Sequence, residues 1–520
     1  MTRGRLLAKR IPLEIVVFVV AVIARLIPIM RFGGFDGNYG YDASVYYAGS
    51  SALLHGRLPY RDFVMLHPPG ILLADTPFAA LGRLTSDHIG FSAAVLAATV
   101  VGGINAVLVV RVATRLGLDR MGALAGGLVY ALWFGSIAAE YLPRLEPLGN
   151  LLILLGGLAL LAAHQSSPEG PADFRHRWLL PLLGGAALGG AISVKLWWAV
   201  PILIVFGWLL VAGRRLRTVL VAALGGVVAV ALIDGPFLIA ARSTMTRMIV
   251  SDQLGRTANN THNLRVLSYL AIGSAGPTAP QGIALIAVAV AAVVLLTLVV
   301  RGWRHRPARV AIILLAAQLI QIGLQPSWFT FYADLLTIAL SLTVAAGVAA
   351  APERAPDPYA LPDPRAAQRR LLARRAVPVV VAVTAVALLP GGLSPQLINA
   401  FPRRQLTAAL AGTHCVQSDS PMGLIQTNTL TRDLHLGCEL WVDVTGKLYD
   451  VDRPVGNPRK TSSYARWQTD IVRYLRSGDA VLFVRQPGAI RISRSSQAAI
   501  KRDGLIVRID GYAIYRTRRS

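Results

Sequence analysis

PGILLADTPFAALGR, residues 69–83, is the stretch on which the fold turns. It is apolar, but it runs for only about 15 residues and contains Asp75 and Pro77. A helix needs about 20 apolar residues to cross a bilayer. This length suits a helix lying along the interface. Outward from it, apolar runs of spanning length lie at 12–30, 88–110, 121–139, 147–163, 179–194, 197–213, 218–240, 281–300, 308–325, 333–350 and 377–393. The fold class this predicts is an α-helical polytopic membrane protein with eleven spans. If 69–83 does not cross and the N-terminus is inside, the inner segments carry 22 Lys and Arg in 76 residues, against 10 in 113 for the outer loops. Positive residues collect on the cytoplasmic side. Were 69–83 a span, the asymmetry would invert from there onward. The first run follows Arg3, Arg5, Lys9 and Arg10, as a signal peptide would. No small-residue cleavage site follows it, and Arg25 and Arg31 stand where one would be expected, so an uncleaved first helix is the reading.

Composition agrees. Of 520 residues, 54% are hydrophobic and 15% charged, with a mean hydropathy of +0.53. Soluble domains carry roughly 25% charged residues, so a soluble enzyme and a disordered chain are excluded. The net charge of +25 belongs to the cytoplasmic loops and the lipid surface, and no nucleic-acid partner is inferred.

Residues 1–394 read as a transmembrane module, with a long first outer loop at 31–87 and a Pro- and Arg-rich cytoplasmic linker at 351–376. Residues 395–520 read as a small α/β domain outside the cytoplasm. There the runs GLIQT, AVLFVR, LIVRID and YAIYRT are strand-like and 464–476 is helical. Its two cysteines, Cys415 and Cys438, are too few for a disulfide scaffold or a cysteine zinc site. An oxidising compartment permits a bond between them, and a loop of 23 residues would give about 3 kcal/mol of chain-entropy stabilisation. Two buried thiols are the alternative.

Ionisable residues near a bilayer are costly and mark function. The first outer loop holds FDGNYGYDASVYYAGSSALLHGRLPYRDFVMLHPPG, residues 35–70, with Asp36, Asp42 and His67. Asp42 opens a helix-like stretch, where it could serve as the N-cap or as a chemical group. The second outer loop, EYLPRLEPLGN, brings Glu140, Arg144 and Glu146, which could also form an interfacial ion pair. Lys195 lies in SVKLWWAVP, where snorkelling is the plain reading. Asp252, Arg256, His262 and Arg265 precede the eighth run, and PSWFTFYAD sets Trp328, Tyr332 and Asp334 at an interface. Together these loops place carboxylates and cations on one face of the membrane. A carboxylate can take the proton of a hydroxyl acceptor. Cations can hold a phosphate and stabilise it as it leaves. Asp36, Asp42, Glu146 and His67 lack the spacing of a metal motif, so no metal is indicated.

The motifs YDASVYYAGSSALLHGRLPYRDF, LHPPGILL, LEPLG and VKLWWAVP are similar to those of the GT-C integral membrane glycosyltransferases. In particular, the chain resembles the aminoarabinose lipid A transferases and protein O-mannosyltransferases, over about residues 10–350. The resemblance implies Asp42 as the base at the acceptor, Glu146 as a second-loop carboxylate, and Lys195 and Arg256 as cations at the donor phosphate. His67 stands where relatives carry Lys or His, and its role stays open. Asp36 joins these as a substrate-binding candidate. No cofactor is implied; the donor would be a polyprenyl-phosphate sugar reached from the outer leaflet of the plasma membrane. The C-terminal domain and the Ala/Val/Arg-rich composition resemble actinobacterial members, which use mannose- or arabinose-type donors in cell-wall assembly. The acceptor would be an envelope glycan, a glycolipid or a protein, and inversion at the sugar is expected. A flippase or transporter of lipid-linked sugar is the alternative. Transporters tend to show inverted repeats and midplane sites, and the chain shows neither in sequence.

The charge count makes the segment 111–120 cytoplasmic. A cysteine introduced at Arg115 is expected to react with a membrane-impermeant thiol reagent only from the inner side of sealed vesicles. Labelling from the outside would overturn the span count.

Overall fold

A computed structural model of the chain describes residues 12–37, 40–164, 175–211, 215–254, 263–273, 281–325, 328–350, 400–447, 465–485 and 490–517. Eight described helices are long and apolar enough to cross a membrane. They include α1 (Leu13–Arg31), α4 (Asp87–Arg115), α7 (Leu145–His164) and α10 (Leu216–Thr246). A bent pair, α5 (Arg120–Leu132) and α6 (Phe134–Glu140), supplies a ninth. The shorter apolar helix Leu196–Val211 falls on the expected run at 197–213. The run at 377–393 lies outside the described residues.

Each boundary has a local cause. Ser86 caps α4, its hydroxyl accepting from the Ile89 N–H at 3.3 Å. Asp119 does the same for α5 through the Gly122 N–H at 2.8 Å. Close packing then rests on glycine: a Cβ at Gly185, in α8 (Leu180–Val194), would land on the Ala222 carbonyl of α10.

Residues 121–139 are expected as one straight span. The helix instead bends by 52° at Trp133, whose ψ of 132° is extended. The break frees carbonyls that must be satisfied inside the bilayer. The single Ser136 hydroxyl proton is shared between Tyr130 O at 2.6 Å and Trp133 O at 2.8 Å from Oγ, and Arg25 Nη1 donates to Ala131 O at 3.2 Å. Arg25 is fully buried and also grips Glu140, with Nη2 2.5 Å and Nε 3.1 Å from Oε2. Tyr130 Oη at 2.6 Å, Asn105 Nδ2 at 2.9 Å and Asn150 Nδ2 at 3.1 Å all donate to Oε1. Asn150 also donates to Asp334 at 2.7 Å, and Thr337 donates to the other Asp334 oxygen at 2.6 Å. Glu140 and Asp334 are therefore not interfacial groups, as their place at span ends suggests. Both are fully buried inside the bundle.

The decisive stretch forms α3 (Gly70–Leu84), a helix of 15 residues. It is roughly 22 Å long, too short for a bilayer core of about 30 Å. It packs between α4 and α2 (Tyr41–Leu54), burying Ile71, Leu72, Ala79 and Gly82. Asp75 is not a solvent-facing mark of an interfacial helix: it is 4% exposed, and burial pushes its carboxyl up to about 8.

Beyond the membrane helices, a sheet has the order β1 (Val416–Ser418), β2 (Ala480–Phe483), β4 (Tyr512–Arg516), β3 (Leu505–Ile509). The β1–β2 pair is parallel and the others antiparallel. The run GLIQT is helical instead, within Pro421–Gln426. Pro421 suits a first helical turn, and every residue of the segment is buried, so no face alternates. Cys415 and Cys438 form a disulfide, with their Cα atoms 5.8 Å apart. One hydrophobic core runs from α2, α3 and the loop between them (Tyr46, Leu72, Tyr60) into this region (Met422, Ile425, Ile514), so the sheet sits directly on residues 41–84.

Candidate active site

Asp42 lies in the first turn of α2. Gly40, at φ 82°, occupies the cap position, and no side chain caps the helix, so capping does not explain Asp42. A carboxylate in this turn faces the positive end of the helix dipole. One turn on, the buried ring of Tyr46 marks the centre of a cluster. Burial, then the carboxylates of Asp42, Glu146 and Asp443, hold its phenol well above the usual range, and the Arg144 guanidinium pulls the other way. The His67 ring meets Tyr46 edge-on, with centroids 6.0 Å apart. Asp42 and Glu146 thus act electrostatically on the side chain that the His67 ring touches.

Lys195 joins them through Glu146. It occupies the break after α8, with an extended ψ of 125°, and its Nζ donates to Glu146 Oε1 at 2.8 Å. The pair is about 95% buried, with Lys195 6% and Glu146 4% exposed. The ammonium also faces the rings of Trp197 at 4.3 Å and Tyr332 at 4.9 Å. Snorkelling to water is therefore not what Lys195 does. The start of α3 reaches the same place: a Cβ at Gly70 would lie 2.5 Å from the Ser193 carbonyl.

The structure separates other candidates. Asp36 accepts from Arg403 Nε at 2.7 Å and lies 3.5 Å from His88 Nε2, and its own carbonyl accepts from the Phe401 N–H at 2.8 Å. These bonds tie the first loop to the C-terminal region. Arg256 lies outside the described residues, as do His262 and, for its side chain, Arg265.

From the sequence, Arg144 is expected to form an interfacial ion pair with Glu140 or Glu146. Instead it donates to Ala138 O at 3.0 Å and stacks over Phe331 at 4.9 Å. Its Nη2 would lie 3.7 Å from a Cβ at Gly40, two residues from Asp42. The C-terminal region also contributes. Tyr41 Oη donates to Asp443 Oδ1 at 2.8 Å and accepts the Thr445 N–H at 2.9 Å, and Arg485 lies over the Tyr41 ring at 4.4 Å. Arg485 is placed by Asp419, whose oxygens accept the Val484 and Arg485 N–H groups at 2.8 and 3.0 Å. Burial pushes the Asp419 carboxyl up to about 7. No sequence spacing connects Tyr41 with residues 400 positions away.

Beside the kink of α10 at Ala241 lies an open groove of about 870 Å³. Leu238 and Ile239 give it an apolar wall, and Arg242 and Arg247 line it as cations. Arg247 also lies 3.8 Å from Asp252. The next turn packs toward the His67 loop, where Gln253 donates to Leu66 O at 2.6 Å. Among the described residues, no three His, Cys, Asp or Glu side chains are grouped to hold a metal.

No family model matches the chain, and no curated protein sequence does. Solved structures do. ArnT from Cupriavidus metallidurans in the apo state is 17% identical, over 96% of this chain and 97% of that one, with a TM-score of 0.59. The same protein bound to undecaprenyl phosphate gives 15% identity, the same coverage and 0.59. The apo oligosaccharyltransferase of Archaeoglobus fulgidus gives 12% identity over 95% and 73% of the two chains, and 0.53. The chain has the GT-C fold. The match to ArnT takes in 96% of the chain, so it extends beyond the membrane helices into the C-terminal region.

Removing one member of a buried ion pair typically costs about 3–5 kcal/mol, because the other charge is left unpaired. Lys195→Met and Glu146→Gln should each lower the unfolding temperature in detergent by more than the double variant does. Strictly additive losses would show that the two side chains are not coupled.

Proposed function

We propose that the chain is a membrane glycosyltransferase that moves a hexose or pentose from a polyprenyl phosphate to an acceptor hydroxyl on the outer face. The observation that carries this is the buried Lys195–Glu146 pair at 2.8 Å, with Asp42, Glu146, Asp443 and Arg144 all acting electrostatically on Tyr46. The fold supports it, since ArnT has been solved with undecaprenyl phosphate bound.

In this reading Asp42 accepts the proton of the acceptor hydroxyl as its oxygen attacks the anomeric carbon. The bond from that carbon to the phosphate oxygen breaks, the configuration inverts, and polyprenyl phosphate leaves as an anion. An ammonium has three N–H donors. Lys195 gives one to Glu146, which fixes the head and leaves the others to be aimed at the donor phosphate. Arg256, proposed for the same phosphate, and Arg144, next to Gly40, would add charge that the leaving group needs. The groove along α10 would hold the polyprenyl chain against Leu238 and Ile239, with Arg242 and Arg247 at headgroup level. The acceptor would enter between α2 and the turn at 441–446, which the Tyr41–Asp443 bond holds in place. It would be a glycan, a glycolipid or a protein.

The N-terminus is assigned to the cytoplasm and the C-terminal region to the outside. The Cys415–Cys438 disulfide supports this, since cytoplasmic thiols are kept reduced.

Asp42→Asn keeps the side-chain volume and removes the base. General-base catalysis contributes about 10²–10⁴-fold, so turnover of a polyprenyl-phosphate sugar should fall by that order while the protein inserts normally. Near-wild-type turnover would remove Asp42 from the chemistry.

A further inference from the structure

A second polar cleft, of about 440 Å³, lies where the α3–α4 corner meets the helix Leu430–His435 of the C-terminal region. Its lining includes His55, Arg83, Ser86, Arg432 and His435. It stands at the opposite end of α2 from Asp42, 13 residues and so roughly 20 Å away along the helix. The transfer site does not use it.

Of the two arginines in the cleft, Arg83 forms no ion pair with a carboxylate among the described residues, while Arg432 shares its charge with Asp433. Arg83 is exposed and donates a long bond, 3.5 Å, to the Leu54 carbonyl, so most of its guanidinium N–H groups are directed elsewhere. Arg432 is paired with Asp433 at 2.9 Å, but about a third of its side chain is exposed. One carboxylate, Asp87, lines the cleft, and both its oxygens are taken: Oδ1 by the Thr431 hydroxyl at 2.5 Å and Oδ2 by the Thr431 N–H at 3.0 Å. His55 Nδ1 bonds to Ser51 O at 2.7 Å, while its Nε2 is buried without a hydrogen-bond partner. A buried orphan of this kind costs free energy until a partner arrives.

Large apolar side chains follow these cations along the chain. Leu84, next to Arg83, is 84% exposed, and Leu436, next to His435, is 51% exposed. Ile89 on the first turn of α4 is 49% exposed. Bare leucines beside cations suit a boundary where apolar tips enter the acyl region and cations meet phosphates. A soluble ligand would give no reason for the leucines.

We propose that this cleft binds the phosphate of an anionic membrane lipid, seating the α3–α4 corner and the C-terminal region together on the bilayer surface. Arg83 and Arg432 hold the phosphate oxygens, a headgroup hydroxyl of the lipid donates to His55 Nε2, and Leu84 and Leu436 enter the leaflet. This does not rest on the sugar-transfer reading and can fail or stand without it.

The test is hydrogen–deuterium exchange of the full chain in nanodiscs of phosphatidylcholine alone or with phosphatidylglycerol. Peptides covering 81–88 and 428–436 should exchange more slowly when phosphatidylglycerol is present. A cation near an anionic surface contributes about 1 kcal/mol, so Arg83→Gln should reduce the apparent lipid affinity about fivefold, and Arg83→Lys should keep most of it. Exchange elsewhere in the chain serves as the folding control. Equal exchange in the two lipids, or an Arg83→Gln response equal to wild type, would overturn the proposal. So would equal protection by glycerol 3-phosphate in detergent, which would make the ligand a soluble phosphate ester.

Discussion

The rest of the structure depends on one buried ion pair, Arg25 with Glu140. Both side chains are fully buried among apolar helices. A charge in that setting survives only if it is paired and its remaining hydrogen-bonding positions are filled. Glu140 meets the condition with donors from α1, α4, α5 and α7. Asn150 carries the chain of bonds on to Asp334 and Thr337. Five spans, counting the bent α5–α6 pair as one, that lipid alone would leave free to slide are thereby locked in register. The pair is also what makes the bend at Trp133 tolerable, because Arg25 occupies a carbonyl that the bend exposes.

From that lock the site follows by short steps. Glu140 ends α6, and Glu146 opens α7 six residues later, with Arg144 between them. Fixing Glu140 therefore fixes where Glu146 meets Lys195 and where Arg144 stands beside Gly40. The other side is supplied by α2, held against α3 and α4. Its N-terminus is clamped from above by Asp443 and Thr445 through Tyr41. The site is thus closed from below by the bilayer network and from above by the C-terminal region. Its acidic and basic groups come from segments far apart in sequence.

How much of this was legible in the sequence follows from the range of each signal. Hydropathy is local, so most of the span-length helices and the short helix α3 could be read directly, and the candidates Asp42, His67, Glu146 and Lys195 could be gathered loop by loop. The strand runs from residue 480 on were legible from their β-branched and aromatic content, although β2 is as fully buried as GLIQT; GLIQT was not, because a short apolar run has no period to distinguish helix from strand and Pro421 just before it favours a helical turn. Arg25 was visible only as an obstacle to signal-peptide cleavage. Its partner is 115 residues away, and no local rule points from one to the other. Glu140 and Asp334 looked interfacial because they stand at span ends, where hydropathy cannot tell the bundle interior from water. Asp36 looked like a site residue by its nearness to Asp42, yet its bonds go to Arg403 and His88. Pairings across the bundle decide these cases.

The proposed activity requires that the cluster around Asp42 and Lys195 break a sugar–phosphate bond and not move an intact lipid. The direct measurement uses purified protein in liposomes with a polyprenyl-phosphate sugar labelled in the sugar and a panel of hydroxyl acceptors, following the lipid product and the leaflet of the label. The account predicts stoichiometric appearance of polyprenyl phosphate with label on an acceptor. Movement of intact labelled lipid between leaflets, with no polyprenyl phosphate formed, would contradict it.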